Sequence, residues 1–217
     1  MAYAISFLSG KGGVTKTSLA RAVTVKFRCD DWEVGVLDID TAQASFRNWN
    51  DRRKKFGHTP AIDVISGTPN DLHDLKAAER HHLIVVDGAA YGSVDSVNVA
   101  QQSDMIVVSC RFSIDDMQSA VETMNSLVLK GIPKERFCVV FSGVPEQRSP
   151  VNYARAQAYM GKTPYYVVPG FIEQMNSITD AQNEGLAMNE IRYRTLRDKV
   201  DMVMDGIVAR LEALTGE

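Results

Sequence analysis

The chain has 217 residues, 45% apolar and 24% charged, which excludes a disordered or fibrous polypeptide and leaves room for one sizeable core. Its 24 Lys and Arg stand against 27 Asp and Glu, a formal charge of -3, so any affinity for nucleic acid must come from a local patch. No apolar run approaches the ~18 residues of a membrane span, and the opening MAYAISFLSG has neither a basic leader nor a small-residue cleavage site, so a cytoplasmic address is expected.

In chain order, a strand is predicted over 3–9, then a glycine-rich stretch, then a helix over 16–29. Strands over 34–40, 61–65, 82–87, 105–110, 137–142 and 165–168 alternate with helices over 45–56, 70–80, 93–102, 114–130 and 152–160. Several strands are almost continuously apolar, as strands covered on both faces are. Parallel strands need such crossovers, so the fold class is α/β: a doubly wound, mostly parallel sheet of about seven to eight strands flanked by helices, in a single domain over 1–217. The tail places Leu196, Val200, Val203, Met204, Ile207, Val208, Leu211 and Leu214 at three- and four-residue spacing, which predicts one amphipathic helix over about 193–214. Its apolar stripe should pack on the sheet. A reversible membrane anchor needs a basic polar face, and Asp198, Asp201, Asp205 and Glu212 offset Arg197, Lys199 and Arg210. Cys29, Cys110 and Cys138 have no C-x-x-C spacing and are expected to be reduced core residues.

The stretch SGKGGVTKTS at 9–18 nearly spells the phosphate-binding pattern G-x-x-x-x-G-K-[ST], with Thr15 where the pattern has glycine. Glycines turn backbone N–H groups inward as an anion nest, and the following helix N-terminus adds positive partial charge. On this pattern Gly10, Lys11, Gly12, Gly13, Val14, Thr15, Lys16, Thr17 and Ser18 surround the phosphates, Lys16 reaches the β- and γ-phosphates and the Thr17 hydroxyl holds Mg²⁺. Thr15 is expected to adopt ordinary helix-entry angles with its side chain outward, because a β-branched residue disfavours φ > 0. The second strand ends in VLDID, placing Asp38 and Asp40 on one side of an extended chain where ligands bind in parallel sheets. Two carboxylates there suit Mg²⁺ and an attacking water, and Asp87, ending the apolar run HLIVVD, suits a further acidic group toward the metal. A dinucleotide-binding turn would instead want glycine at position 15 and has no need of Lys16 and Thr17.

These residues resemble the ParA/MinD class of ATPases with a deviant phosphate loop, a phosphate-loop class of the SIMIBI type. The carrying motifs are KGGVTKTS at 11–18, LDIDTAQAS at 37–45 and VVDGAA at 85–90, followed more loosely by VVSCRFSIDDMQSA and VVPGFIEQMNSITDAQNEGLAMNE. The resemblance implies that Lys11 reaches the partner's nucleotide across an ATP-bridged homodimer, that Asp40 positions the attacking water, and that Asp38 and Asp87 support Mg²⁺. It also implies that Pro169 packs against adenine. The class usually has D-x-D-P-Q after the second strand; Thr41 replaces that proline, which bears on hydrolysis rate rather than on binding.

With its first strand at residue 3, the chain looks like the small, ParF-like type, without an N-terminal DNA-reading domain. The implied role is a partition or positioning ATPase that dimerises with ATP, binds DNA without sequence preference, associates with the nucleoid, and is released when a ParB-like or cargo adaptor stimulates hydrolysis. Nonspecific DNA binding needs a basic surface. One candidate is Arg192, Arg194, Arg197 and Lys199, favoured by the resemblance; the other is Arg52, Arg53, Lys54 and Lys55. The alternative is a MinD-like membrane-associated positioning ATPase, with no stable membrane insertion expected. A nitrogenase-reductase-like carrier would need two loop cysteines, and a dethiobiotin-synthetase-like ligase would not need Lys11.

Overall fold

The computed structural model describes residues 1–8, 15–88, 94–145 and 149–216. The expected alternation is present. β1 (Tyr3–Leu8), α1 (Lys16–Cys29), β2 (Val34–Asp38), α2 (Ser45–Lys55), β3 (Asp63–Ser66), α3 (Asp71–Ala77), β4 (Leu83–Asp87) and α4 (Val94–Gln102) come first. β5 (Met105–Cys110), α5 (Ile114–Leu129), β6 (Phe137–Val144), α6 (Ser149–Met160), β7 (Tyr166–Val167), β8 (Ile172–Glu173), α7 (Asn176–Asn183) and α8 (Arg194–Thr215) complete it. The strands pair in parallel in the order β3-β2-β4-β1-β5-β6-β7, with β8 pairing β6 beyond that path.

Alternating residues of each strand feed opposite layers. In β1 and β5, Ile5, Phe7, Met105 and Val107 join the core beneath α1 and α8, whereas Leu8, Ile106, Val108 and Cys110 join the core beneath α5 and α6. A third cluster, with Ala4, Leu37, Ile84 and Val86, lies under Leu72 of α3 and Val99 of α4. Both faces are therefore covered, which is why the central strands read as unbroken apolar runs.

Helix α8 buries Leu196, Val200, Val203, Met204, Ile207 and Leu211 in the first core, so its stripe is spent on the sheet. Among the described residues, no helix is long and apolar enough to cross a membrane.

Three expectations need correction. β2 stops at Asp38, so Asp40 lies beyond the ladder in a turn and is only half-buried, unlike Asp38. Cys110 and Cys138 are buried, but Cys29 ends α1 on the exposed surface; all three thiols are free. Arg53, read as part of an exposed basic run, is 1% exposed.

The region after β7 also holds β8 and α7, which the sequence pattern leaves unread. β8 is two residues long, and α7 (NSITDAQN) buries only Ile178, too little to imprint a period.

Candidate functional site

β1 and β4 are neighbours, and so are β4 and β2, so the carboxyl ends of these strands converge. Asp38 and Asp87 are register partners across the β2–β4 ladder, at 1% and 2% exposure. The chain enters α1 directly above them: Thr17, in the first turn, donates its hydroxyl to Asp87 Oδ1 at 3.1 Å. Three sequence-predicted metal oxygens are thus brought together by two strand ends and one helix start.

Their electrostatics explain what the arrangement lacks. Burial pushes the Asp87 carboxyl up to about 7; the charge of Asp38 raises it further, while the Thr17 bond, Arg21 and Lys16 act the other way. Burial also raises Asp38, against bonds from the backbone of Arg47, Asp40 and Phe46. Asp38 Oδ2 accepts from Arg47 N at 3.2 Å, but Oδ1 is buried without a hydrogen-bond partner among the described residues. A buried carboxylate oxygen left unpaired is costly. A hard divalent cation would satisfy it and hold both aspartates ionised, so the donor set fits Mg²⁺. No group of three or more His, Cys, Asp or Glu suited to a metal occurs among the described residues.

Asp40 opens the turn before α2. Its carboxylate accepts from Gln43 N at 3.3 Å and its carbonyl from Ala44 N at 2.7 Å. Ala44 closes that turn in the left-handed conformation, φ 47°.

Thr15 departs from expectation. It lies at φ 57°, ψ 18°, the left-handed region that the pattern's glycine occupies at no steric cost, and its side chain points inward. Left-handed geometry costs an L-residue roughly 1–2 kcal/mol, and β-branching makes it rarer still. The hydroxyl donates to Ser142 Oγ at the end of β6, at 2.6 Å, and makes no helix cap. The methyl lies 3.2 Å from where a Cβ at Gly143 would sit; Gly143 is itself at φ 67°.

Thr15 and Ser18 also line a cleft of about 210 Å³ with Ser142, Gly143, Glu173, Gln174, Met175, Thr179 and Gln182. Arg21, one turn into α1, forms its floor: it donates to Gln182 Oε1 at 2.9 Å and to the carbonyl of Ser45 at 2.5 Å, and lies over the Trp49 ring at 5.3 Å. Burial lowers Arg21 to about 10, so it remains a cation. Sequence reading missed this cleft because its walls come from β8 and α7.

Gly10, Lys11, Gly12, Gly13 and Val14 lie outside the described residues. Lys16 is half-buried at the start of α1. Pro169 follows β7, exposed beside Gly206 of α8, and is not among the cleft residues above. Arg192 and Arg194 are exposed and Arg197 half-exposed before and within the first turn of α8; Lys199 pairs with Glu173 at 2.8 Å.

No protein-family profile and no curated relative matches the chain. Solved structures do. The MinC:MinD cell division complex of Aquifex aeolicus aligns at TM-score 0.76 and 12% identity, covering 96% of each chain. A plasmid partition protein of Borrelia burgdorferi B31, bound to AMPPNP, aligns at 0.72 and 15%, covering 97% of this chain and 100% of its own. The pNOB8 ParA, bound to nonspecific DNA, aligns at 0.65 and 15%, covering 98% and 99%. The fold is that of the MinD and ParA structures.

Proposed function

We propose that the protein is a ParA-type positioning ATPase that hydrolyses ATP at the convergence of β1, β2 and β4. The observation that carries this reading is the register-paired Asp38 and Asp87, one of them bonded to Thr17 in the first turn of the loop-following helix. That is the oxygen set a magnesium-nucleotide site requires, on a fold shared with proteins solved with AMPPNP and with DNA.

In this reading residues 10–18 cradle the phosphates, Lys16 neutralises their charge, and Thr17, Asp38 and Asp87 face the metal. Bound Mg²⁺ supplies neutralisation of charge developing on the transferring phosphoryl group. Asp40, free of the ladder and half-exposed, orients and deprotonates the attacking water. Lys11 adds a cation to the nucleotide of a second copy, so dimerisation depends on ATP. The cleft between Ser18, Gly143 and Glu173–Met175 receives the nucleoside, and Pro169, exposed after β7, is the residue the resemblance assigns to packing against adenine.

Arg192, Arg194, Arg197 and Lys199 present the basic surface for nonspecific DNA, and a ParB-like or cargo adaptor releases the dimer by stimulating hydrolysis. The buried stripe of α8 supports this role over a membrane-associated one.

Asp40→Ala tests the assignment. With MgATP it should lose at least about a hundredfold in turnover while retaining nucleotide affinity, and should accumulate as a DNA-retained dimer in gel filtration and sedimentation. Turnover within threefold of the parent removes Asp40 from the reaction.

A further inference from the structure

The loop pattern asks for glycine at position 15, and the chain supplies a β-branched residue in the conformation that glycine would take. Such strain persists only where the surroundings over-determine it. Here two contacts do so. The Thr15 hydroxyl is 2.6 Å from that of Ser142, which is 0% exposed, and the Thr15 methyl packs against the Cα face of Gly143. A Cβ at Gly143 would sit 3.2 Å from that methyl, close enough to push it aside, and would also face a positive φ, so glycine at this position leaves Thr15 its room at the end of β6. The carbonyl of Thr15 in turn accepts the first backbone bond of α1, from Leu19 N at 2.9 Å. The angle of this one residue therefore sets where the helix start, with Lys16 and Thr17, lies relative to Asp87.

We propose that Ser142 is a positioning residue of the phosphate loop: its hydroxyl holds Thr15 left-handed, doing for this chain what a glycine does unaided in the usual pattern. The inference rests on the nucleotide-site reading and deepens it. It makes Thr15, Ser142 and Gly143 one unit shared by the loop and β6, and β6 also walls the nucleoside cleft. Thr15 and the start of α1 are thus preset by a hydroxyl pair before nucleotide arrives, and loss of either hydroxyl should be felt at Lys16 and Thr17 rather than at the base.

The test is a double-mutant cycle read by titration with a fluorescent ATP analogue, in Mg²⁺, beside thermal melts of each variant. Thr15→Val keeps the shape and removes the hydroxyl; Ser142→Ala removes the other. Each should weaken binding about three- to tenfold, the cost of one lost hydrogen bond, and the pair together no more than either alone. Thr15→Gly should bind at least as tightly as the parent, and adding Ser142→Ala to it should change affinity by less than about twofold. A merely structural Ser142 would weaken binding equally in both backgrounds, which overturns the inference. So does binding unchanged in both single variants, and Thr15→Val reads this even if Ser142→Ala fails to fold. A parent that binds none of the analogue overturns the nucleotide reading and the inference together, whereas a binding parent with indifferent variants overturns the inference alone.

Discussion

Asp87 holds its proton to about pH 7 because burial, reinforced by Asp38, penalises its charge in the metal-free protein. In the unfolded chain it loses that proton near 3.8. The folded state therefore binds the extra proton between these values: the contribution is fully present below pH 3.8 and is lost as pH rises through about 7. Asp87→Asn should stabilise the metal-free protein at pH 8 by about 4 kcal/mol in urea unfolding, with the gain almost gone near pH 4. A gain independent of pH would mean that Asp87 is not the group being penalised. The aspartates were legible in the sequence because each ends a run of Val, Ile and Leu, and the parallel register does the rest. The conformation of Thr15 was not, since local sterics argue against it and its compensating partner, Ser142, is 127 residues away.

At the scale of elements, α2 follows the Asp38–Asp40 turn and is fastened to the segment after α7. Arg53 donates to both carboxylate oxygens of Glu190, at 2.6 and 2.9 Å, and to the carbonyls of Thr59, Pro60 and Gly185. Gly185 allows this approach: a Cβ there would sit 2.4 Å from Arg53 N. Glu190→Ala leaves a buried guanidinium without its counter-charge and should cost about 3–5 kcal/mol of unfolding free energy by denaturant titration. A loss below 1 kcal/mol would show that the carbonyls alone satisfy Arg53. In the sequence Arg53 is one letter of RRKK, and only tertiary contact separates it from its exposed neighbours Lys54 and Lys55. Strands and crossovers were readable because two-sided burial writes continuous apolar runs. β8 and α7 were not, because a two-residue strand and a helix with a single buried residue carry almost no pattern.

For the whole molecule, the two layers of helices leave one end of the sheet where the start of α1, the carboxylates and the cleft meet, as expected at the carboxyl ends of parallel strands. Low sequence identity to the MinD and ParA structures, at 12–15%, accompanies alignment over nearly the whole chain, so the architecture is common while side chains diverge. Two departures from the sequence patterns at this end are the informative ones: threonine at position 15, where the phosphate-loop pattern has glycine, with a serine answering it, and Thr41 after Asp40 where the motif of the resembled class has proline. In the function proposed above, this end binds a magnesium nucleotide. That binding is tested most directly by calorimetric titration of MgATP into the parent and into Lys16→Ala. A saturable single site in the parent, weakened about a hundredfold or more by loss of the lysine's charge-assisted bonds, is the expected result. Equal affinity in the two proteins, or no heat of binding in the parent, would contradict it.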